Sequence, residues 1–130
     1  MDIETLVKII IDCARMVRAA FSPGFEEKIY KNAMLVELRH RGLSVETEVP
    51  FTVYYKDTPI GHYKADIIVE KQVVVELKAV SSIIPIHEVQ LVNHLNITGI
   101  ETGLLINFGA DAIQIKRMFK NYCKPLNSQS

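Results

Sequence analysis

The chain has 130 residues, 48% of them hydrophobic, and its 15 Lys and Arg balance 15 Asp and Glu. That length and composition describe one domain able to bury a core without disulfides. Zero net charge argues against an obligate, tight coat for nucleic acid, which needs a basic surface, but leaves room for an enzyme that touches a few phosphates.

The start, MDIETLVKIIIDCAR, is acidic before its apolar stretch, which is wrong for a secretory signal. No apolar run reaches the ~18 residues of a spanning helix, so no membrane association is expected. Cys13 and Cys123 lie far apart and outside metal-ligand spacing, which suggests free thiols and a cytoplasmic location.

Asp2 caps a first helix running to about Ala20, with Ile3, Leu6, Val7, Ile10, Cys13, Ala14 and Val17 as its core stripe. Ser22-Pro23 reads as the start of a second helix, to Arg41 and Gly42, with Ile29, Ala33, Val36 and Leu38 inward. The period then changes from helical to alternating. Residues 43–49 and 51–56 read as two strands interrupted by Pro50, and Asp57-Thr58-Pro59 as a turn. Strands follow over 60–69 and 73–80, a helix from Pro85 to Thr98 closed by Gly99, and strands over 102–108 and 112–119. The expected fold is α/β, a central mixed sheet flanked by helices, with the very apolar VVVELKAV as a central strand. One domain spans 1–122, and 123–130 is expected to be a flexible tail.

Asp66, Glu76 and Lys78 stand inside these apolar strands. Burying such groups is costly unless they are paired or hold a metal. Glu76 and Lys78 share a strand face. A turn centred on Lys71 sets Asp66 opposite Glu76, provided the loop has three residues or a bulge, and like charges so opposed repel. A divalent cation between them removes the penalty. Two carboxylates and the Leu77 carbonyl, completed by water, suit Mg²⁺. Lys78 would stabilise developing charge or help position the nucleophile. An ordinary Glu–Lys ion pair is the plainer alternative.

Gly24, Glu27 and Tyr30 recur at three-residue intervals. The segment GFEEKIY resembles the pattern of the GxxExxY proteins, a group within the PD-(D/E)XK nuclease-like superfamily. The resemblance continues through the segments around Asp66 and Glu76 into IPIHEVQLVNHL and TGLLINFG, about residues 20 to 119. It implies a restriction-endonuclease-like core in which Asp66 binds metal, Glu76 and Lys78 form the Glu-x-Lys element, and Glu27 completes the acidic site. Gln90 matches the helix Gln that binds substrate or orients the Lys. Two departures stand out. Ala65 replaces the usual Pro, and His94 stands where related sites carry Tyr. His94 and Tyr30 are further candidates for substrate contact, although a buried tyrosine more often serves packing.

The resulting expectation is a Mg²⁺-dependent nuclease, with Mn²⁺ able to substitute, acting on nucleic acid and on DNA first. A homodimer would let so small a domain cover more of a duplex. The competing expectation is a catalytically weak or inactive nuclease fold that binds nucleic acid or a partner protein.

Overall fold

The first helix forms because its apolar residues recur every three to four positions and its end is capped. In the computed structural model, which describes residues 1–120, α1 spans Ile3–Ala20 and Asp2 Oδ2 accepts from Thr5 N at 3.0 Å. Leu6, Val7, Ile10, Cys13, Ala14 and Val17 are buried, as the stripe requires. The expected tail lies outside the described residues.

The second helix, α2 (Glu27–His40), starts later than Ser22. Gly24 sits at φ +117°, which ends any helical run there. The Tyr30 hydroxyl donates to Ser22 O at 2.6 Å and accepts from Phe25 N at 3.2 Å, pinning the segment as a loop. Its inward row is Tyr30, Met34 and Leu38, one per turn, rather than the row through Ile29, Ala33 and Val36; Val36 is exposed.

The strands are β1 (Val45–Tyr55), β2 (Thr58–Val69), β3 (Val73–Lys78), β4 (Thr102–Asn107) and β5 (Gln114–Phe119), with α3 (Pro85–Thr98) between β3 and β4. They form one sheet in the order β1-β2-β3-β4-β5. Pro50 does not divide β1. Because β1 is an edge strand, the missing proline N–H interrupts no ladder on its outer side. The hairpin turns at Lys56-Asp57, both with positive φ, rather than at Asp57-Thr58-Pro59. A three-residue loop joins β2 to β3, and the register Ile67↔Val75, Ile68↔Val74, Val69↔Val73 is the one that sets Asp66 against Glu76. The β3–β4 pair is parallel, reached through α3, so β3 is central and nearly all buried.

Helices α1 and α2 cover one face, packing on Ile67, Val69, Val73, Val75, Leu77, Leu104 and Ile106. Helix α3 covers the other, on Ala65, Ile68, Val74 and Leu105. Each fully buried Leu or Ile contributes roughly 1.5–3 kcal/mol. The β1–β2 register shifts between Val53 and Tyr54, and nearer the core strict alternation of faces fails as well. Ile67 and Val69 face α1 and α2, yet Tyr63 and Ala65 pack with α3. On β1, Val45 belongs to the first layer and Val49 and Phe51 to the second. Both strands thus exchange faces between the same opposed positions, Glu48 and Asp66, and Glu48 carries φ +52°.

The chain beyond β3 is held by buried polar groups. Asn107 Oδ1 accepts from Val80 N and Gly109 N, both at 3.0 Å, and its Nδ2 donates to Val80 O at 2.9 Å. Arg18 donates to the carbonyls of Phe108, Ala110 and Asp111. A Cβ on Gly109 would lie 2.4 Å from Val80 O, a backbone atom that cannot swing aside. Gly109→Ala is therefore expected to destabilise the fold by about 1–3 kcal/mol, the range for overpacking. Urea unfolding compared with wild type measures it.

Candidate active site

The exchange of faces decides where Asp66 points. Had alternation continued, Asp66 would lie with Ile68 on the α3 side. Instead its Oδ1 is 3.8 Å from Lys31 Nζ on α2, and its Oδ2 accepts from Leu77 N at 3.4 Å across the gap where β2 leaves β3. Glu76 keeps its alternation and faces α3. It is 7% exposed. Its Oε2 accepts from the Tyr63 hydroxyl at 2.6 Å and pairs with His94 Nδ1. The Tyr63 and His94 rings stack at 3.9 Å between centroids, so each donor braces the other. Glu76 Oε1 has no hydrogen bond among the described residues.

The first turn of α2 brings Glu27 to the same place. Desolvation raises its carboxyl above the ordinary range, and the charge of Asp66 raises it further against the opposing pull of Lys78 and Lys31. Asp66 is also raised, mainly by burial, with Glu76 and Glu48 adding to it and the Leu77 N–H and Lys31 working against it. Burial, then the hydrogen bond and charge of Glu76, raise the Tyr63 phenol well beyond the ordinary range, so it stays a donor. Lys31 also pairs with Glu48. Three carboxylates and two lysines from α2, β2 and β3 therefore share one field at the strand ends.

A family model of the PD-(D/E)XK nuclease superfamily matches residues 4–118. The chain belongs to this superfamily. Its mixed five-stranded sheet flanked by helices is consistent with the PD-(D/E)XK fold. The crystal structure of SSO0001 resembles it with a TM-score of 0.55 at 23% identity, covering 72% of this chain and 49% of that one, so this chain spans about half of that structure's length. No curated protein matches the chain.

For this PD-(D/E)XK protein, Glu27 lies within the electrostatic reach of Asp66, Lys78 and Glu76, and Asp66 within that of Glu76. Asp66 and Glu76 do not confront each other on one face as a flat hairpin would require. The exchange of faces sends one toward α2 and the other toward α3, and this geometry itself relieves part of their repulsion. Gln90 is exposed on α3, one turn before His94. Tyr30 does not reach substrate. It is fully buried, both its hydrogen bonds go to the 22–25 loop, and its ring stacks on Phe108 at 4.8 Å. Gly24 serves backbone conformation rather than close packing, since nothing lies within 4 Å of where its Cβ would be.

Sequence reasoning missed Tyr63, Lys31 and Glu48. A signal for Lys31 was present: it stands four residues after Glu27, on the same helix face. Tyr63 had none, because its reach to Glu76 depends on the exchange of faces.

Among the described residues, no three His, Cys, Asp or Glu side chains are gathered into a ready-made metal cage. PD-(D/E)XK nucleases typically use divalent metals, and Mg²⁺ needs only one or two carboxylates, with water and substrate oxygens filling the rest. The donor set fits that demand. Glu76 is oriented through one oxygen with the other left over, and Asp66 and Glu27 are carboxylates that would be better off with a cation nearby.

Raised carboxyls make stability depend on pH in a definite sense. Between the ordinary carboxylate value near 4 and the higher folded value, the native state holds more protons than the unfolded chain, so stability falls as pH rises through that window. In chelator, Asp66→Asn is expected to be more stable than wild type at pH 7–8, with the difference vanishing below about pH 4. Added Mg²⁺ or Mn²⁺ should reverse the order at neutral pH, because metal bound to the native state alone stabilises wild type by about 2.7 kcal/mol at one hundred times Kd. Thermal melts across pH, with and without metal, check both statements.

Proposed function

We propose that this protein hydrolyses phosphodiester bonds in nucleic acid, DNA first, with a divalent cation as cofactor. The observation that carries the reading is the state of Glu76. Two stacked donors hold one of its oxygens and leave the other without a hydrogen bond among the described residues, with its charge acting on Asp66 and with Lys78 two residues further along the strand. Asp66, Glu76 and the Leu77 carbonyl would hold the cation, Mg²⁺ or in its place Mn²⁺, and Glu27 completes the acidic set. The bound ion supplies Lewis acidity at the phosphoryl group.

The protein's own groups do the rest. The Leu77 N–H and Lys31 set the Asp66 carboxylate. Tyr63 and His94 orient Glu76. Lys78 places a positive charge where negative charge develops on the scissile phosphate. Gln90 and the outer edge of His94 lie on α3, where they would meet substrate. The Gly24, Glu27, Tyr30 spacing supports placement among the GxxExxY proteins, and the free, buried Cys13 fits a cytoplasmic setting. Among the described residues, no helix is long and apolar enough to cross a membrane.

A second reading, a binding module with a weakened site, draws on one specific observation. Lys31 already stands beside Asp66 and neutralises part of the charge that would otherwise recruit metal.

The two readings part at Lys78. Lys78→Ala is expected to retain metal and nucleic-acid binding while cleavage of plasmid and oligonucleotide substrates with Mg²⁺ or Mn²⁺ falls by ~10²-fold or more. Glu27→Gln should weaken metal binding or cleavage. If wild type cuts neither DNA nor RNA with either metal while still binding them, the binding-module reading stands instead.

A further inference from the structure

The β1–β2 hairpin is far longer than the sheet needs. Its two strands pair from Val45↔Val69 out to Tyr55↔Thr58, while β2 is bonded to β3 only at Ile67, Ile68 and Val69. Beyond Asp66 it runs on as a two-stranded ribbon. Val49, Phe51 and Tyr63 fasten its inner part to α3. Further out there is no such anchor, and Tyr54, Tyr55 and Ile60 are each more than 60% exposed. A bare two-stranded ribbon is marginal in water, and large exposed aromatic side chains at its end call for an explanation.

Its charge supplies one. Between Val49 and Ala65 the one carboxylate is Asp57, against Lys56 and Lys64, with His62 as a further hydrogen-bonding group. Opposed residues share a face, so the pairs Pro50↔Lys64 and Thr52↔His62 put Lys64 and His62 on the side away from Phe51, Tyr63 and α3. Lys64 acts electrostatically on Glu48, the partner of Lys31 beside Asp66. Lys64 and His62 thus lead from the candidate active site outward along one face of the ribbon toward a tip that carries Lys56 and two exposed tyrosines. Lys56 lies 5.5 Å from the centre of the Tyr55 ring, the first cation beside the tip aromatics.

We propose that this ribbon is a nucleic-acid-binding arm that takes an unpaired stretch of strand: Lys64, His62 and Lys56 meet its phosphates, and Tyr54 and Tyr55 stack on its bases. Stacking on exposed rings requires bases that are not already stacked within a duplex, and combining cations with aromatic platforms is how single strands are held. The proposal rests on the nuclease reading for its substrate, and it names the form of substrate the site receives.

The test is binding in chelator, where no cleavage occurs, of a labelled oligothymidine and of a duplex of equal length, followed by fluorescence anisotropy at low salt. Wild type is compared with Tyr54→Ser/Tyr55→Ser and with Lys56→Gln/Lys64→Gln, and thermal melts confirm that each variant is folded. The tyrosine variant is expected to bind oligothymidine about tenfold or more weakly, with duplex binding little changed. The lysine variant should show a shallower dependence on salt. Oligothymidine binding that is unchanged in the tyrosine variant, or weakened equally with duplex, overturns the proposal. So does a wild-type dimer that becomes monomeric in the tyrosine variant without loss of oligonucleotide binding, since the tip is then a contact between copies. Cleavage by wild type with tyrosine-independent binding sinks the arm and spares the nuclease reading. Tyrosine-dependent binding by a protein that cuts nothing does the reverse.

Discussion

A strand that alternates faithfully would point Asp66 into the layer under α3, away from Glu27 and Lys31. The exchange of faces at Glu48 and Asp66 prevents this, and the site depends on it. It turns Asp66 toward α2 while Glu76, on an undisturbed strand, still faces α3. The two carboxylates are adjacent in register yet served by different helices. A left-handed backbone at a non-glycine residue costs about 1–2 kcal/mol. Glu48 adopts it where its side chain also pairs with Lys31, so local strain and an ion pair occur at one residue.

Glu76 shows how a nearly buried carboxylate is tolerated. A lone charge in an apolar layer would change its protonation or unfold its surroundings. Here a phenol and an imidazole, stacked on each other, both donate to the same oxygen. Histidine at position 94 suits this task because it is planar enough to stack on Tyr63 and still presents a ring N–H to the carboxylate.

Much of the architecture was legible in the sequence. Hydrophobic period located α1 and, apart from the division of β1 at Pro50, the strands; Pro85 and Gly99 bounded α3, and the apolar run around Glu76 marked the central strand. The register of β2 on β3 followed from the turn at Lys71. What was not legible involves contacts distant in sequence. Pro50 looks like a break until β1 is known to be an edge. Ser22-Pro23 looks like a helix start until Tyr30 is seen holding that loop through Ser22 O and Phe25 N. The same contact removes Tyr30 from the list of groups that could face substrate. Tyr63 was invisible because period-2 reasoning assumes that a strand never exchanges faces.

The fork between Arg117 and Glu4, with bonds of 2.9 and 3.0 Å, joins residues 113 positions apart, and Arg18 reaches the carbonyls after β4 across 90 or more. Helix α1 is therefore made well before part of the surface it packs on. Until β4 supplies Leu104 and Ile106, its apolar stripe lacks part of its cover. The local hairpins can assemble during synthesis, whereas α1 must wait for β4 and β5. Contacts so distant in sequence are slow to close, and the interval before closure is when this protein would most need a chaperone.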